Sequence, residues 1–479
     1  MADNQDLTRR DAIKAAGAVT LAGVAAAQFV GAPAIIKARA ATNAVNFGIV
    51  GTGSRGSYLL KHLKGIDTGK CVAICDVSDD ALKKGAETIG TNPKQYKDYR
   101  ELLSDKNVEA VFVTTPLFLH FPITKDALEA GKHVFCEKSL VFKAEEVHAL
   151  RALVHSKPKQ VMQVGLQRRY SAMYGAARQM IEKGLLGEVT YVQAQWHRNP
   201  GWKMKKDVPN QRMANWRLFR EYSGGLVAEL ASHQIDVADR MLGMTPEAVM
   251  GMGSRDFMND GRDILDNVQL IYKYPKGRRL VWTGIPMSSH WSGVGGARTE
   301  MGEMICGTKG TIHITIGDDT NKPIGMWFRE PTPPAAIEEA KKKKEPVKAG
   351  ATMVSAAGSR PLPILLGRDL MTGQESFLEK EMKFARLWLY QKGVLVPEEE
   401  KNPVDIELDS FFNDCRTGGR PLADLEVGLQ DSIAVILSNL ALDEGRTVYF
   451  NEIDKMGKGP AAPAGKPAAP AAKPAAKKG

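Results

Sequence analysis

The chain has 479 residues, 43% of them hydrophobic and 25% charged, which is long enough for two buried cores and too apolar for a disordered polymer. Its formal charge is +10, yet residues 1–40, with five Lys/Arg against three Asp, and residues 457–479, with five Lys, account for seven of those charges. The body between them is close to neutral, so the basic pI gives no case for a nucleic-acid partner.

The N-terminal forty residues have the layout of an export signal. Thr8-Arg9-Arg10-Asp11-Ala12-Ile13-Lys14 precedes the alanine-rich stretch AAGAVTLAGVAAAQFVGAPAII, and Ala38-Arg39-Ala40 reads as a small-x-small cleavage site. The arginine pair resembles the twin-arginine type of address, used for cargo exported in the folded state, and implies a periplasmic location. An uncleaved membrane anchor is the competing reading; Pro33 and the glycine- and alanine-rich composition favour the signal and no stable membrane span after processing.

VNFGIV (45–50) then runs into Gly51-Thr52-Gly53-Ser54-Arg55-Gly56 and a helical pattern, followed by KCVAICD, which ends at Asp76. A lone GxGxxG is weak, but strand, glycine loop, helix and a second strand ending in an acid twenty positions on form the dinucleotide fingerprint. Gly51 permits the tight turn, Gly53 the approach of a pyrophosphate and Gly56 close helix packing. The N–H groups at Ser54 and Arg55 face the phosphates, and Asp76 accepts from the adenosine ribose. A carboxylate there repels a 2′-phosphate, which makes NAD the expected cofactor.

Alternation continues with a helix near 79–89, a strand at 109–115, a helix near 120–131, a strand at 133–137, a helix near 143–156 and QVMQVG at 160–165. That pattern predicts an α/β, doubly wound Rossmann domain over 41–165 with its ligand at the strands' carboxyl ends, where Thr114-Thr115-Pro116 and Glu137-Lys138 fall. Beyond 165, longer strands at 188–199, 267–274 and 311–317 predict a C-terminal α+β domain over 166–455 with a large, mostly antiparallel sheet. Residues 319–400 read as an irregular insertion, and the Ala/Pro/Lys-rich 456–479 as a disordered tail. The five cysteines are odd in number, and Cys71, Cys75 and Cys136 lie in apolar strand-like runs, so free thiols are expected.

GGLVAELASHQID (224–236) sets Glu229 and His233 four residues apart, one above the other on an α-helix, with Asp236 near the same stripe. A metal-ligand pair, a core histidine and a proton-handling pair all fit this spacing. No HExxH and no cysteine ligand spacing occur, so no metal is expected. The dinucleotide fingerprint and Glu137-Lys138 at a strand end favour proton handling.

Taken together, GTGSRG, TTPLFLH, ALEAGKHVFCEK, VGLQRRY, GLLGEV, HRN, GGLVAELASHQID and GGRPLADLEVGL resemble the Gfo/Idh/MocA family of glucose-fructose oxidoreductases and inositol dehydrogenases, in the family's order over 45 to about 450. The resemblance implies an NAD-dependent enzyme, a homo-oligomer (dimer or tetramer), whose Lys138, Glu229 and His233 close over the substrate. It implies cofactor contacts from the loop segments, including Thr115, Pro116, His120 and Glu137, and polyol contacts from Arg168, His197 and Asn199. Two departures stand out: the family's proline after the lysine is Ser139, and its usual aspartate is Glu229.

The implied activity is oxidation of a ring hydroxyl of a sugar, glycoside or cyclic polyol to a ketone, with His233 as general base, Lys138 steadying the developing alkoxide, and Glu229 orienting the imidazole or gripping a neighbouring hydroxyl. A redox-neutral enzyme with tightly bound NAD is the alternative, acting by glycoside cleavage through a keto sugar or by sugar-to-sugar hydride transfer. A sugar-binding or assembly protein without turnover is the non-enzymatic one.

Overall fold

The computed structural model describes residues 44–197, 202–287, 298–317, 323–330, 362–366 and 401–456. The expected signal (1–40), Asn199, most of the 319–400 stretch and the tail beyond 456 lie outside the described residues.

The first sheet is built from β1 (Val45–Val50), β2 (Gly69–Cys75), β3 (Lys94–Tyr96), β4 (Ala110–Val113), β5 (His133–Cys136) and β6 (Met162–Val164). All its pairs are parallel, in the order β3-β2-β1-β4-β5-β6. Helices on both faces bury it, so β4 is a continuous apolar run rather than an alternating one. The order reverses between β1 and β4, and a crevice opens at that switch point. α1 (Ser54–Leu63) follows β1, and α2 (Asp79–Ile89), capped by the Ser78 hydroxyl and ended by left-handed Gly90, follows β2. The short β3 and α3 (Tyr99–Ser104) were not anticipated; three residues of strand carry too little pattern to read. α4 (His120–Glu129) and α5 (Ala144–His155) complete the alternation.

After α6 (Ala172–Glu182), a second sheet takes the order β14-β13-β12-β11-β7-β10-β9-β8-β15. Its strands are β7 (Val189–His197), β8 (Ala248–Ser254), β9 (Asn267–Lys273), β10 (Arg279–Ile285), β11 (Arg298–Gly307), β12 (Gly310–Gly317), β13 (Ile324–Arg329), β14 (Leu362–Leu366) and β15 (Val448–Tyr449). Every pair is antiparallel except β7 with β10, so the sheet is mostly antiparallel as the strand pattern predicted. β9 and β10 alternate buried with more exposed positions, the mark of one covered face. That face lies under α7 (Ser232–Leu242) and α9 (Leu425–Glu444), pinned by polar contacts: Trp282 Nε1 donates to Gln234 Oε1 at 2.6 Å, and Tyr272 Oη meets Ser438 Oγ at 2.7 Å. The 319–400 stretch is not wholly irregular, because β13 and β14 extend the sheet from within it.

The chain then returns to the first sheet. α8 (Pro403–Thr417) lays Phe411 and Phe412 against Phe47, Phe112 and Phe135, with ring centroids 5.3 Å apart for Phe112–Phe411 and 5.4 Å for Phe47–Phe412. A Cβ at Gly69 would come within 2.3 Å of the Phe412 ring. All five cysteines are free thiols, Cys71, Cys75 and Cys136 among them buried.

Candidate active site

The glycine loop is shaped by backbone clashes that admit no side chain at two of its three glycines. Gly51 has φ +93° and its backbone abuts Thr114, while a Cβ on Gly56 would sit 1.9 Å from the Gly51 carbonyl oxygen. Gly53 differs: a Cβ there would meet nothing, and no side chain caps the start of α1. Open space before an uncapped helix N-terminus fits a dinucleotide pyrophosphate. Asp76, just past β2, accepts from the Thr52 N–H at 2.8 Å and the Ser78 N–H at 2.9 Å, so its carboxylate is fixed before any ribose arrives. The residues therefore fit NAD.

Arg55 and Glu137, both expected at the cofactor, pair with each other across the crevice, Nε to Oε1 at 2.6 Å. Thr114 Oγ1 donates to the Gly51 carbonyl at 2.5 Å and ties the end of β4 to the glycine loop next to Thr115 and Pro116. His120, also expected at the cofactor, bridges the two strand-end turns: its Nδ1 and Nε2 face the carbonyls of Ser139 (2.7 Å) and Thr115 (3.0 Å). Burial holds its pKa down, so one carbonyl at a time receives its single N–H.

Lys138 follows β5, and the Lys138–Ser139 peptide bond is cis with serine in the family's proline position. Its Nζ donates to the carbonyls of Ala228 at 2.9 Å and Glu229 at 2.6 Å, leaving one of its three N–H groups for a ligand. This contact depends on a departure from the expected geometry. Residues Val227–Ala231 form a π-turn ahead of α7, in which hydrogen bonds span five residues, so Glu229 and His233 are not stacked at plain α-helical spacing. Burial lowers the Lys138 pKa against the opposing pull of Glu229 and Asp431.

His233 is buried and its Nδ1 has no hydrogen-bond partner among the described residues. Its ring stacks on Trp196 of β7, with centroids 5.8 Å apart. Burial, then the charges of Lys138, Arg168 and Arg55, hold its pKa well below the usual imidazole value, so the ring is neutral and able to take a proton. Asp236, expected on the same stripe, instead binds Arg169 at 2.6 Å.

Arg168 sits over the Trp196 ring at 5.6 Å, paired with buried Glu303 of β11, which also accepts from Tyr174 Oη at 2.6 Å. Its Nη2 is buried with no hydrogen-bond partner among the described residues. His197 closes β7, its Nε2 2.9 Å from Thr283 Oγ1. Glu229 reaches the other way, accepting from Arg217 Nε at 2.9 Å.

Lys138, Arg168, Trp196 and His233 thus come together from four separate segments, and Trp196 Nε1, Arg168 Nη2 and His233 Nδ1 are buried with no hydrogen-bond partner among the described residues. Sequence reasoning missed Glu303, Trp196 and Asp431. Glu303 and Asp431 carried a signal, an acid inside an apolar run: GEMICG for the first and GLQDSIAVI for the second. Asp431 lies fully buried on α9, where burial lifts its pKa to about 7 against the pull of Lys138.

Comparison with known proteins gives the family and the fold. Residues 45–165 match the Gfo/Idh/MocA model described as an oxidoreductase family NAD-binding Rossmann fold, and residues 178–333 match that family's C-terminal alpha/beta domain. An inositol 2-dehydrogenase from Salmonella paratyphi B is 33% identical over 142 residues, which is 29% of this chain and 42% of that enzyme, so the match spans less than half of the relative. An aldose-aldose oxidoreductase from Caulobacter crescentus, solved with glycerol, superposes with a TM-score of 0.62 at 19% identity over 85% of this chain and all of that one. Levoglucosan dehydrogenase, solved with NADH and levoglucosan, has the same TM-score, identity and coverage. Two family models in sequence order, over a Rossmann sheet with its glycine loop and a large, mostly antiparallel sheet, establish that the chain belongs to the Gfo/Idh/MocA oxidoreductase family.

Proposed function

We propose that the protein oxidises a ring hydroxyl of an uncharged sugar, glycoside or cyclic polyol to a ketone, using NAD. The observation that carries this reading is the buried imidazole of His233, whose Nδ1 has no hydrogen-bond partner among the described residues, beside the Lys138 ammonium with one of its three N–H groups uncommitted. NAD held by the glycine loop and Asp76 supplies the hydride acceptor. His233 takes the hydroxyl proton, and the remaining N–H of Lys138 donates to the same oxygen as its negative charge grows. Burial, with Lys138, Arg168 and Arg55 adding to it, keeps His233 neutral before the reaction, and the same three cations favour an alkoxide over an alcohol at the reacting oxygen. The buried Arg168 Nη2 and Trp196 indole N–H, which have no hydrogen-bond partner among the described residues, support a role for both in holding other hydroxyls of the ring.

The names of relatives support the substrate class: an inositol 2-dehydrogenase by sequence, and enzymes of aldoses and levoglucosan by fold. The test is incubation of purified protein and NAD with myo-inositol, levoglucosan and a panel of monosaccharides and glycosides, with products identified by mass spectrometry. Keto products accompanied by NADH confirm the reading; no product from any of them overturns it.

Export of the folded protein to the periplasm is part of the proposal and rests on Arg9-Arg10 and Ala38-Arg39-Ala40. Changing Arg9 and Arg10 together to Lys should leave folded protein in the cytoplasm on cell fractionation; unchanged periplasmic protein refutes the twin-arginine route.

A further inference from the structure

Residues 202–223, between β7 and the π-turn, form a small folded unit. Buried Asn215 binds the Lys205 N–H (2.7 Å), the Lys205 carbonyl (3.0 Å) and the Gln211 carbonyl (2.8 Å). Leu218, Phe219 and Ile264 make a minor core flanked by Trp202, Met204 and Tyr222. On its outer side the unit is fastened to the 260–264 stretch, where Arg262 Nη2 donates to the Trp202 carbonyl at 2.8 Å and the Asp263 N–H to the Leu218 carbonyl at 3.1 Å.

On its inner side two contacts meet the site. Tyr222 packs on Phe118, in the turn before α4, with centroids 5.0 Å apart, and Arg217 Nε donates to Glu229 Oε2. The Arg217 guanidinium lies 4.3 Å from the Trp216 ring centroid, so a plane and an ion pair together set its orientation. Its Nη1 and Nη2 have no hydrogen-bond partner among the described residues, and its side chain is 34% exposed against 15% for Glu229. The Glu229 carboxylate also lies close enough to Lys138 to act on its titration.

We infer that Glu229 works through Arg217 rather than on the reacting hydroxyl: it holds the guanidinium at the site so that Nη1 and Nη2 bind two adjacent hydroxyls of the ring. The inference rests on the proposed function and adds a specificity element to it. A glutamate suits this role where an aspartate would not, since the extra methylene carries the carboxylate out to the loop. The charges specify the ligand further. Arg217 is matched by Glu229, Arg55 by Glu137 and Arg168 by Glu303, so none of these guanidinium groups is left to neutralise an anion. Arg217, whose charge Glu229 already matches, favours a neutral vicinal diol over a carboxylate or phosphate at its end of the site, while the Lys138 ammonium serves the reacting oxygen.

Full-length wild type, Arg217→Met, Arg217→Lys, Glu229→Gln and the Arg217→Met/Glu229→Gln double variant are compared by steady-state kinetics on myo-inositol, levoglucosan, glucose and glucuronate. Amide hydrogen exchange across 202–222 is followed without substrate. Arg217→Met and Glu229→Gln should each raise KM on neutral substrates about tenfold or more while kcat stays within about threefold, and the double variant should be no worse than the poorer single. Arg217→Lys should recover less than half of the loss, because a lysine lacks the fork. Exchange in 202–222 should rise in Glu229→Gln as in Arg217→Met.

A roughly hundredfold fall in kcat at unchanged KM in Glu229→Gln would place Glu229 at the reacting atoms and overturn the inference. Unchanged kinetics and exchange would overturn it too, as would a preference of the wild type for glucuronate over glucose. If the wild type turns over none of these compounds, the functional reading fails, while the exchange measurement still decides whether Glu229 holds Arg217.

Discussion

The two halves of the site are built by different means. The dinucleotide half is made of backbone: a loop that excludes side chains at Gly51 and Gly56, an uncapped helix start, and one carboxylate fixed by two N–H groups. The proposed ring-binding half is made of side chains from distant segments, each steadied by a partner: Lys138 by π-turn carbonyls, Arg168 by Glu303, Arg217 by Glu229. A backbone-built half reads one ligand and tolerates little change. A half built of side-chain pairs changes its ligand by exchanging partners and loses precision when one partner is removed.

The largest effect should come from the centre of the side-chain half. His233→Ala should lower the hydride-transfer rate about 10²- to 10⁴-fold with little change in NAD affinity, read by single-turnover kinetics alongside a thermal melt. Lys138→Ala should do likewise, and the double variant should lose less than the product of the two, since both act on one oxygen. A destabilised His233→Ala that keeps full activity in its folded fraction would make His233 a core residue and dissolve the contrast.

Next comes Glu303→Gln, which leaves the buried Arg168 guanidinium unpaired and should cost about 3–5 kcal/mol of stability, measured by denaturant unfolding. In the backbone half, Asp76→Ala should narrow the preference for NAD over NADP by roughly ten- to a hundredfold, the worth of hydrogen bonds to a charged group, measured by calorimetry. Wild-type protein that binds NADP more tightly than NAD would refute the role given to Asp76.

The smallest effects are in pH dependence. The folded protein holds the His233 pKa well below the ordinary imidazole value of 6.5, so the acid limb of kcat/KM should fall well under that pH. The neutral imidazole's contribution to stability follows the same sign: complete above 6.5, it is lost as pH drops from there toward the depressed value, because the unfolded chain takes the proton first. Asp431, raised to about 7, is a carboxylate above that pH and helps keep Lys138 charged. Asp431→Asn should therefore move the alkaline limb of kcat/KM to lower pH, and an unmoved limb would separate Asp431 from Lys138.

The same contrast explains what could be read from sequence. The glycine loop and Asp76 are legible because their geometry follows from residue types within about thirty positions, and strand-helix alternation fixes which sheet end they occupy. Lys138 stood out by its place at a strand end and His233 by its spacing from Glu229, and the family's ordered segments supplied the roles expected of them. The π-turn was invisible because nothing in VAELA distinguishes five-residue from four-residue hydrogen bonding, and plain α spacing was the natural expectation. The pairing of Glu229 with Arg217, twelve residues earlier, and of Arg168 with Glu303, 135 residues later, depends on tertiary placement. β13 and β14 escaped notice because proline, lysine and glycine around them dominate the local texture.

The return of α8 onto the first sheet has a consequence for synthesis. Phe47, Phe112 and Phe135 emerge from the ribosome early, but Phe411 and Phe412, which cover them, emerge nearly three hundred residues later. The N-terminal sheet therefore waits with an aromatic surface uncovered while almost all of the chain is made, a liability that holding chaperones exist to manage. A fragment cut after the first sheet inherits that surface permanently and should aggregate when expressed alone, whereas addition of the 401–456 segment in trans offers the missing cover.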